Sequence, residues 1–429
     1  MAAVLVGAVF APASPVVRAQ DATGGYVSRK EYEELKVEML AMKKELASLK
    51  RAKGAESIQE SPKSEAAAAD MHKEVATTAA PPPEASLGTT KFDIAGYGVG
   101  MFEARNGSVS TFSDMFGPIF LWELSPRLLF ESHLHIEGNG SNTHVELEYA
   151  QLTYLLNDYI TLGAGEFLAP SNVFAERFEP AWINKLPDDP LAVYDGGILP
   201  VRSIGLQVRG GVPIGPTRAN YAFYVSNGPS LNAFDSGRAG TLEFTFTDNN
   251  NDKAVGGRVG FLPIPGVEVG YSFETARPGF QGTTFAHVRS LLQSVDLNVT
   301  RDSDLLKGRI DLHAQYAWSE VSHAVYDPDG TLGFGPLSFT SKRDGGYAQV
   351  AYRPTEVDVD FVRNLEMIFR WDHLSRFPSG LGASAEERWT LGLDYWLGPS
   401  TVMKAAYEWD NPQGERNRNA LLLQVVAGF

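Results

Sequence analysis

Residues 309–318 read Arg-Ile-Asp-Leu-His-Ala-Gln-Tyr-Ala-Trp, and polar and apolar side chains alternate along most of this stretch. The apolar set is Ile310, Leu312, Ala314, Tyr316 and Trp318, and the polar set between them is Arg309, Asp311, His313 and Gln315. A repeat of two is the period of a β-strand, in which successive side chains point to opposite faces. The segment therefore predicts a strand with one apolar face and one charged or polar face.

The same alternation recurs over residues 267–274, 294–300, 365–372 and 388–395. Short turns, such as Asn157–Asp158, alternate with longer polar connections, such as Asn106–Pro118 and Ser322–Gly345. Strands that meet lipid on one face and water on the other, with turns and loops of unequal length at their two ends, are typical of outer-membrane barrels. Counting the segments predicts an all-β, closed antiparallel transmembrane barrel of about 16 strands over residues 91–429.

A soluble β-sandwich would also alternate in polarity, because each of its sheets has one solvated face. The strand ends, however, are rich in aromatic side chains, as they are where barrels cross the membrane interfaces. These aromatic residues are Tyr316, Trp318, Trp371, Trp389, Tyr395, Trp396, Tyr407 and Trp409. The aromatic pattern favours outer-membrane lipid over a second sheet as the partner of the apolar face.

The composition of the chain excludes several classes of function. A net charge of −15 over 429 residues argues against a nucleic-acid partner, and the absence of cysteine excludes disulfides and thiol nucleophiles. No G-x-S-x-G, H-E-x-x-H or Walker motif occurs, so we predict no enzyme, no catalytic residue and no cofactor. His133 and His135 lie two apart on one strand and are spaced to share a transition metal, but such a pair on a water-filled wall is usually hydrated, and we assign no metal site.

Three segments precede the barrel. Residues 1–19 are apolar and end in an A-x-A-like site, which predicts a signal peptide; the alternative is a disordered tail. Residues 26–52 carry a heptad seam, which predicts a short periplasmic coiled coil or, alternatively, a single amphipathic helix. The seam residues are Tyr32, Leu35, Met39, Met42, Leu46 and Leu49. Residues 53–90 are rich in Ala and Pro, and their composition predicts a disordered linker.

The chain ends in an apolar segment, Ala420–Phe429, whose terminal phenylalanine resembles the C-terminal assembly signal of bacterial outer-membrane barrels. From Phe92 to Phe429 the layout resembles that of the Gram-negative porin superfamily. The N-terminal helix and linker are similar to those of dicarboxylate-channel porins, and the general layout also resembles phosphate-selective porins O and P. The resemblance implies a homotrimer in the outer membrane that passes small hydrophilic solutes or ions.

In porins of this kind, a loop folded into the lumen narrows the channel. The resemblance assigns that role to the third external connection, Ala169–Arg202, which is long and rich in Pro and aromatic residues. Its charged residues, which we predict to face the pore, are Glu176, Arg177, Glu179, Lys185, Asp188, Asp189 and Asp195. The alternative is a loop that packs on the rim or at a trimer interface.

The alternation also assigns the opposite wall of the pore, because a charge facing lipid at the midplane would cost roughly 2–4 kcal/mol. The charged residues predicted to point into lumen water are Arg209, Arg258, Arg309, Arg353, Arg370, Arg388, Lys404, Asp311, Glu366, Asp372 and Asp394. The sequence thus favours a passive diffusion channel. Two alternatives remain at this point, namely a lipase-like barrel enzyme and a protein that tethers the envelope by contact of the coiled coil with the cell wall.

Overall fold

A computed structural model describes residues 91–138, 142–193, 197–235, 238–244, 248–331, 333, 335–382 and 384–429. The predicted signal peptide, coiled-coil seam and linker lie outside the described residues, as does Asp195. Within the described chain no helix is both long and apolar enough to cross a bilayer.

The described residues form eighteen strands, two short helices and a 3-10 turn at Ser379–Leu381. The strands are β1 (Lys91–Arg105), β2 (Thr111–Ser125), β3 (Leu128–Gly138), β4 (Thr143–Asn157), β5 (Ile160–Leu168), β6 (Arg202–Ile214), β7 (Thr217–Ser226), β8 (Ser230–Asn232), β9 (Thr241–Glu243), β10 (Ala254–Ile264), β11 (Val267–Ala276), β12 (Ser290–Ser303), β13 (Gly308–Tyr326), β14 (Leu337–Arg353), β15 (Leu365–Phe377), β16 (Ser384–Trp396), β17 (Thr401–Pro412) and β18 (Ala420–Gly428). The helices are α1 (Val173–Arg177) and α2 (Asp360–Arg363).

Sixteen of these strands close into one antiparallel barrel, and β8 and β9 pair separately within a loop. Each barrel strand pairs with its neighbours in the chain, and β1 pairs with β18 from Tyr97↔Gly428 to Arg105↔Ala420. The terminal residue completes the closure: the Phe429 N–H donates to the Gly96 carbonyl (2.9 Å), and the Gly96 N–H donates to the Phe429 carbonyl (3.1 Å). The predicted sixteen-stranded closed barrel is confirmed, and closure leaves no free sheet edge in the membrane.

The barrel reverses the usual polarity of a soluble protein. Arg370 and Asp372 on β15 are fully buried, whereas Met367 on the same strand is 53% exposed and Leu391 on β16 is 54% exposed. Such a continuous exposed apolar surface is unstable in water, and acyl chains cover it in an outer-membrane barrel. The inward face carries the charges, as the alternation predicts.

Two details differ from the sequence expectations. The connections expected at Asn106–Pro118 and Ser322–Gly345 are shorter, because β2 begins at Thr111, β13 continues to Tyr326 and β14 begins at Leu337. Trp396 does not belong to a lipid-facing aromatic belt, because its indole N–H donates to the inward-facing carboxylate of Glu366 (2.8 Å). The strand extensions were missed because their residues resemble those of turns and loops. The Trp396 indole points inward because Glu366 supplies a buried acceptor for its N–H.

Candidate functional site

The longest connection inside the barrel, residues 169–201, joins β5 to β6, and we call it loop L3. It begins with α1, whose N-cap is Asn172: the Asn172 Oδ1 accepts from the Ala175 N–H (3.2 Å). The amide nitrogen of the same side chain donates to the carbonyl of Val193 (2.6 Å). Asn172 therefore satisfies a free helix-end donor and also fastens the two arms of loop L3 to each other.

Loop L3 runs across the inside of the barrel and is packed on the inner wall by apolar contacts. Leu186 is buried in a cluster with Ile368, Ala406 and Leu422, which face inward from β15, β17 and β18. A second cluster joins the arms of the loop to β12, β13, β14 and β15, through Phe174, Val193, Ile198, Leu199, Leu292, Ala317, Tyr347 and Leu374. A barrel filled only with water would have a polar inner face. Here apolar residues can face inward because loop L3 covers them.

Next to Leu186, the loop is held by charge. The Asp188 carboxylate pairs with Arg370 of β15 (3.0 Å) and Arg388 of β16 (2.6 Å). The two guanidinium groups also donate to backbone carbonyls: Arg370 donates to that of Asp188 (3.0 Å) and Arg388 to that of Asp189 (2.5 Å). Burial alone would raise the pKa of Asp188, but the two arginines outweigh it and hold that pKa well below the usual range. Asp188 is therefore a charged anchor of the loop.

Lysines fix the adjoining part of loop L3. Lys185 pairs with Glu366 on β15 (2.8 Å) and with Asp311 on β13 (3.5 Å). Lys404, on β17, donates from the wall to the carbonyls of Ala181 (2.6 Å) and Asn184 (2.8 Å). The ammonium of Lys404 thus takes the place of water as the partner of buried loop carbonyls.

The first arm of loop L3 is held on the opposite wall. Glu176 accepts from Arg209 of β6 (2.6 Å), and Arg177 pairs with Glu268 of β11 (2.9 Å). Arg258 of β10 joins Glu268 (2.7 Å) to Asp296 of β12 (2.7 Å). The first arm and the middle of the loop are therefore tied to charges that the alternation places on the inner face.

The eleven wall residues predicted from the sequence all occupy inward-facing positions, but most do not face water. Arg370, Asp372, Asp394 and Lys404 are buried by loop L3 and the wall. Both carboxylate oxygens of Asp394 are buried without a hydrogen-bond partner. Arg309 and Arg353 lie near the short-turn end of the barrel, where the Arg353 guanidinium stacks 5.2 Å from the centre of the Trp396 ring. Loop L3 shields these charges from solvent, and the alternation along single strands could not predict this.

Beside loop L3 the lumen holds a cavity of about 870 Å³, bounded on one side by β1–β3 and on the other by the loop. Tyr97, Val99, Met101 and Met115 contribute to the strand side, and Glu179, Leu186, Asp188 and Asp189 contribute to the loop side. A second space of about 320 Å³ lies against Trp182, Lys185 and Arg309. Asn184 of the loop borders both spaces.

Two acidic side chains of the loop face the larger cavity and are not ion-paired within the described chain. Burial and the neighbouring carboxylates of Glu148 and Asp189 raise the pKa of Glu179 well above its usual value. Burial and the adjacent Asp188 raise the pKa of Asp189 to about 7, although Arg370 and Arg388 oppose this. Two carboxyl groups without an Arg or Lys partner among the described residues therefore lie close together on this side of the loop.

The sequence interpretation missed an ionic network at the loop end of the barrel. Arg105 pairs with Glu408 (3.1 Å) and Asp410 (3.8 Å), and Arg418 joins Asp410 (3.3 Å) to Glu386. The alternation along β1 could have placed Arg105 on the inner face, but the glycines of that strand make the alternation hard to recognise. Among the described residues no group of three or more His, Asp or Glu is arranged to hold a metal ion.

The closed barrel with an inward loop defines a fold class, the sixteen-stranded antiparallel β-barrels. The in-vitro folded OmpT of Vibrio cholerae, an outer membrane protein, superimposes with a TM-score of 0.51 at 10% identity, covering 79% of this chain and 98% of that one. OmpF of Salmonella typhi, in its complex with daunomycin, does so with a TM-score of 0.50 at 13% identity, again covering 79% and 98%. At these identities the likeness shows the fold. No protein-family model and no curated protein sequence matches the chain.

Proposed function

We propose that the protein is a porin of the bacterial outer membrane, a non-enzymatic channel through which small polar or charged solutes diffuse. The observation that carries the proposal is the cavity of about 870 Å³ that remains beside a loop anchored inside a closed barrel. A barrel of 16–18 strands is wide enough for an aqueous channel, and a loop anchored inside such a barrel narrows it.

Loop L3 is the proposed constriction. It contacts inward residues of β1, β6, β11, β13 and β15–β18, so it crosses the lumen instead of lying on the rim. The anchors are distributed over both arms and combine apolar burial with buried ion pairs. A loop held in this way keeps one shape while solutes pass, as size selection requires.

The test is electrical. The purified full-length chain, added to a planar lipid bilayer in KCl, is expected to produce stepwise conductance increments of uniform size. Protein unfolded by heat before addition is the matched control and should produce none. Folded protein, recognised by its altered migration on unheated gels, that inserts into the bilayer without any conductance would overturn the proposal.

We further propose that the N-terminal segments act as the sequence predicts, with residues 1–19 as a signal peptide, 26–52 as a periplasmic coiled coil and 53–90 as a linker. Phe429 is the proposed assembly signal, and in the closed barrel its backbone pairs with that of Gly96. A homotrimer is proposed, with cell-wall contact through the coiled coil as an additional role. Chemical crosslinking of the detergent-solubilised protein that gives monomers alone would contradict the trimer.

A further inference from the structure

We infer that the channel passes cations in preference to anions, because the open side of loop L3 presents carboxylates without an Arg or Lys partner in the described part of the chain, while most of the arginines around the cavity are held by carboxylates. The inference rests on the proposed function and adds the charge class of the solute. It is carried by three observations, namely the pairing of the arginines, the lack of such pairing at the acidic groups, and the position of both sets around one cavity.

Arginines line the cavity, but their charge is compensated locally. Arg388 pairs with Asp188 (2.6 Å), Glu408 (3.4 Å) and Asp372 (3.5 Å). Arg376 shows the same pattern on β15, pairing with Glu415 (2.6 Å) and Glu386 (3.3 Å). A guanidinium already bound by two or more carboxylates offers little net attraction to an anion that enters the cavity.

Arg105 and Arg418 repeat this arrangement at the loop end of the barrel. Arg105 pairs with Glu103 (2.6 Å) in addition to Glu408 and Asp410, and Arg418 contacts both Glu386 and Asp410. Arg343 also borders the cavity and donates to the carbonyls of Ser375 (3.0 Å) and Gly197 (3.3 Å). Arg238, which also borders the cavity, contacts Glu243 (3.8 Å), so each of these arginines has a partner within the protein.

The acidic residues that border the same cavity are placed differently. Within the described chain, Glu137 of β3 and Glu179 and Asp189 of loop L3 form no ion pair with any Arg or Lys. Glu137 contacts His135 (2.8 Å), and Asp189 accepts from the Asn184 amide (3.0 Å). Glu137 thus shares its charge with an imidazole, whereas the loop carboxylates of Glu179 and Asp189 have no basic partner among the residues described and can attract mobile cations from the cavity.

The arginines on the barrel wall do not cancel the charge of the carboxylates on loop L3, because their own charge is already compensated. Charges on the low-dielectric walls of a narrow water-filled space focus the field in the water between them, and rings of acidic groups select cations. Burial raises the pKa values of Glu179 and Asp189, and the neighbouring carboxylates of Glu148 and Asp188 add to the effect by repulsion. A potassium ion in the cavity would relieve this repulsion.

This inference opposes the anionic solutes that the resemblance to dicarboxylate and phosphate channels implies. Such channels need a series of basic groups that are free to bind successive anionic solutes. Here Arg370, Arg388 and Lys404 are buried and bonded to loop L3 or to wall carboxylates. The same basic residues therefore serve to anchor the loop.

The experiment measures the reversal potential of the full-length protein in planar bilayers under a KCl gradient at mildly alkaline pH. A potential of the sign set by potassium, with a potassium-to-chloride permeability ratio severalfold above one, is expected. A clear conductance with a reversal potential set by chloride would overturn the inference while leaving the channel intact. Absence of conductance would instead overturn the proposed function.

Variants test the residues that carry the inference. Combined E179Q and D189N substitutions are expected to lower the permeability ratio severalfold, toward one, without loss of conductance. The control is E387Q, which removes the same charge from an exposed carboxylate on the outer face of β16 and should leave the ratio unchanged. Normal insertion and conductance with an unaltered ratio in the double variant would overturn the assignment.

Discussion

The Asp188 carboxylate of loop L3 lies 2.6 Å from the guanidinium of Arg388 on β16, and both side chains are largely shielded from solvent. The same carboxylate reaches Arg370 on β15 at 3.0 Å. One acidic residue in the middle of a long loop therefore compensates two buried arginines on neighbouring strands. This relationship ties the position of the loop to the charge balance of the wall.

Replacing Asp188 by Asn is expected to release the loop. Removal of one partner of a buried ion pair typically costs about 3–5 kcal/mol, and here two arginines would lose their counter-charge. Single-channel recordings should show larger and noisier conductance, and loop L3 should become sensitive to protease in folded protein. The matched control is Asp360→Asn, which breaks an exposed pair with Arg363 at the turn end and should have little effect. An unchanged conductance in the Asp188 variant would mean that this pair does not hold the loop.

The apolar anchor of the loop is expected to be equally sensitive to overpacking. A methyl group added at Gly392 on β16 would overlap the end of the Leu186 side chain, so Gly392→Ala must displace the side chain that anchors the loop. Overpacking of a filled core typically costs about 1–3 kcal/mol. We expect an altered conductance and a lower thermal unfolding temperature. Gly398→Ala is the control, because nothing lies within 4 Å of a methyl group there, and it should behave like the parent chain.

The sequence was sufficient for those features that depend on local periodicity. The period of two assigned inward positions correctly for residues as far apart as Arg209 and Lys404, because lipid and water impose opposite polarity on each strand. The count of connections located the long loop between β5 and β6. Both inferences need only one strand, or one turn, at a time.

The remaining features depend on contacts between distant segments. Leu422 lies in the run Leu421-Leu422-Leu423, where polarity does not alternate, since loop L3 covers its inner side. Trp396 was assigned to the lipid face, because the sequence does not indicate that Glu366 supplies a buried acceptor for its indole. Likewise, nothing in the sequence around Asp188 reveals that Arg370 and Arg388 converge on it. Loop packing decides these cases.

Ion selectivity is expected to fall as the pH is lowered through neutrality. Asp189, with a pKa of about 7, is mostly ionised above that pH and mostly protonated below it, so acidification removes negative charge from the cavity. The groups that influence it are Asp188, Arg370, Arg388 and Lys404 from the loop and the wall. Reversal potentials measured between about pH 8 and pH 6 should show a decreasing potassium-to-chloride permeability ratio.

Asp189→Asn separates this titration from that of other groups. The variant is expected to lose the part of the pH dependence centred near neutrality, while any residual dependence belongs to Glu179, whose pKa is also raised. A parent protein whose selectivity stays constant across this pH range would contradict the role given to Asp189. The conductance itself serves as the internal control for folding.

The membrane-facing surface is expected to tolerate charge only near its ends. Leu391 projects outward from the middle region of β16 and is 54% exposed, whereas Leu397 lies just beyond that strand, at the turn end, and is 58% exposed. Arginine on the lipid face costs about 2–4 kcal/mol at the bilayer midplane and about 0–1 kcal/mol near an interface. Leu391→Arg should therefore lower the free energy of unfolding from vesicles much more than Leu397→Arg, as measured by denaturant titration. If the outer surface faced water, both arginines would be solvated and the two substitutions would have equal effects. Equal effects would therefore indicate that the apolar belt does not face acyl chains.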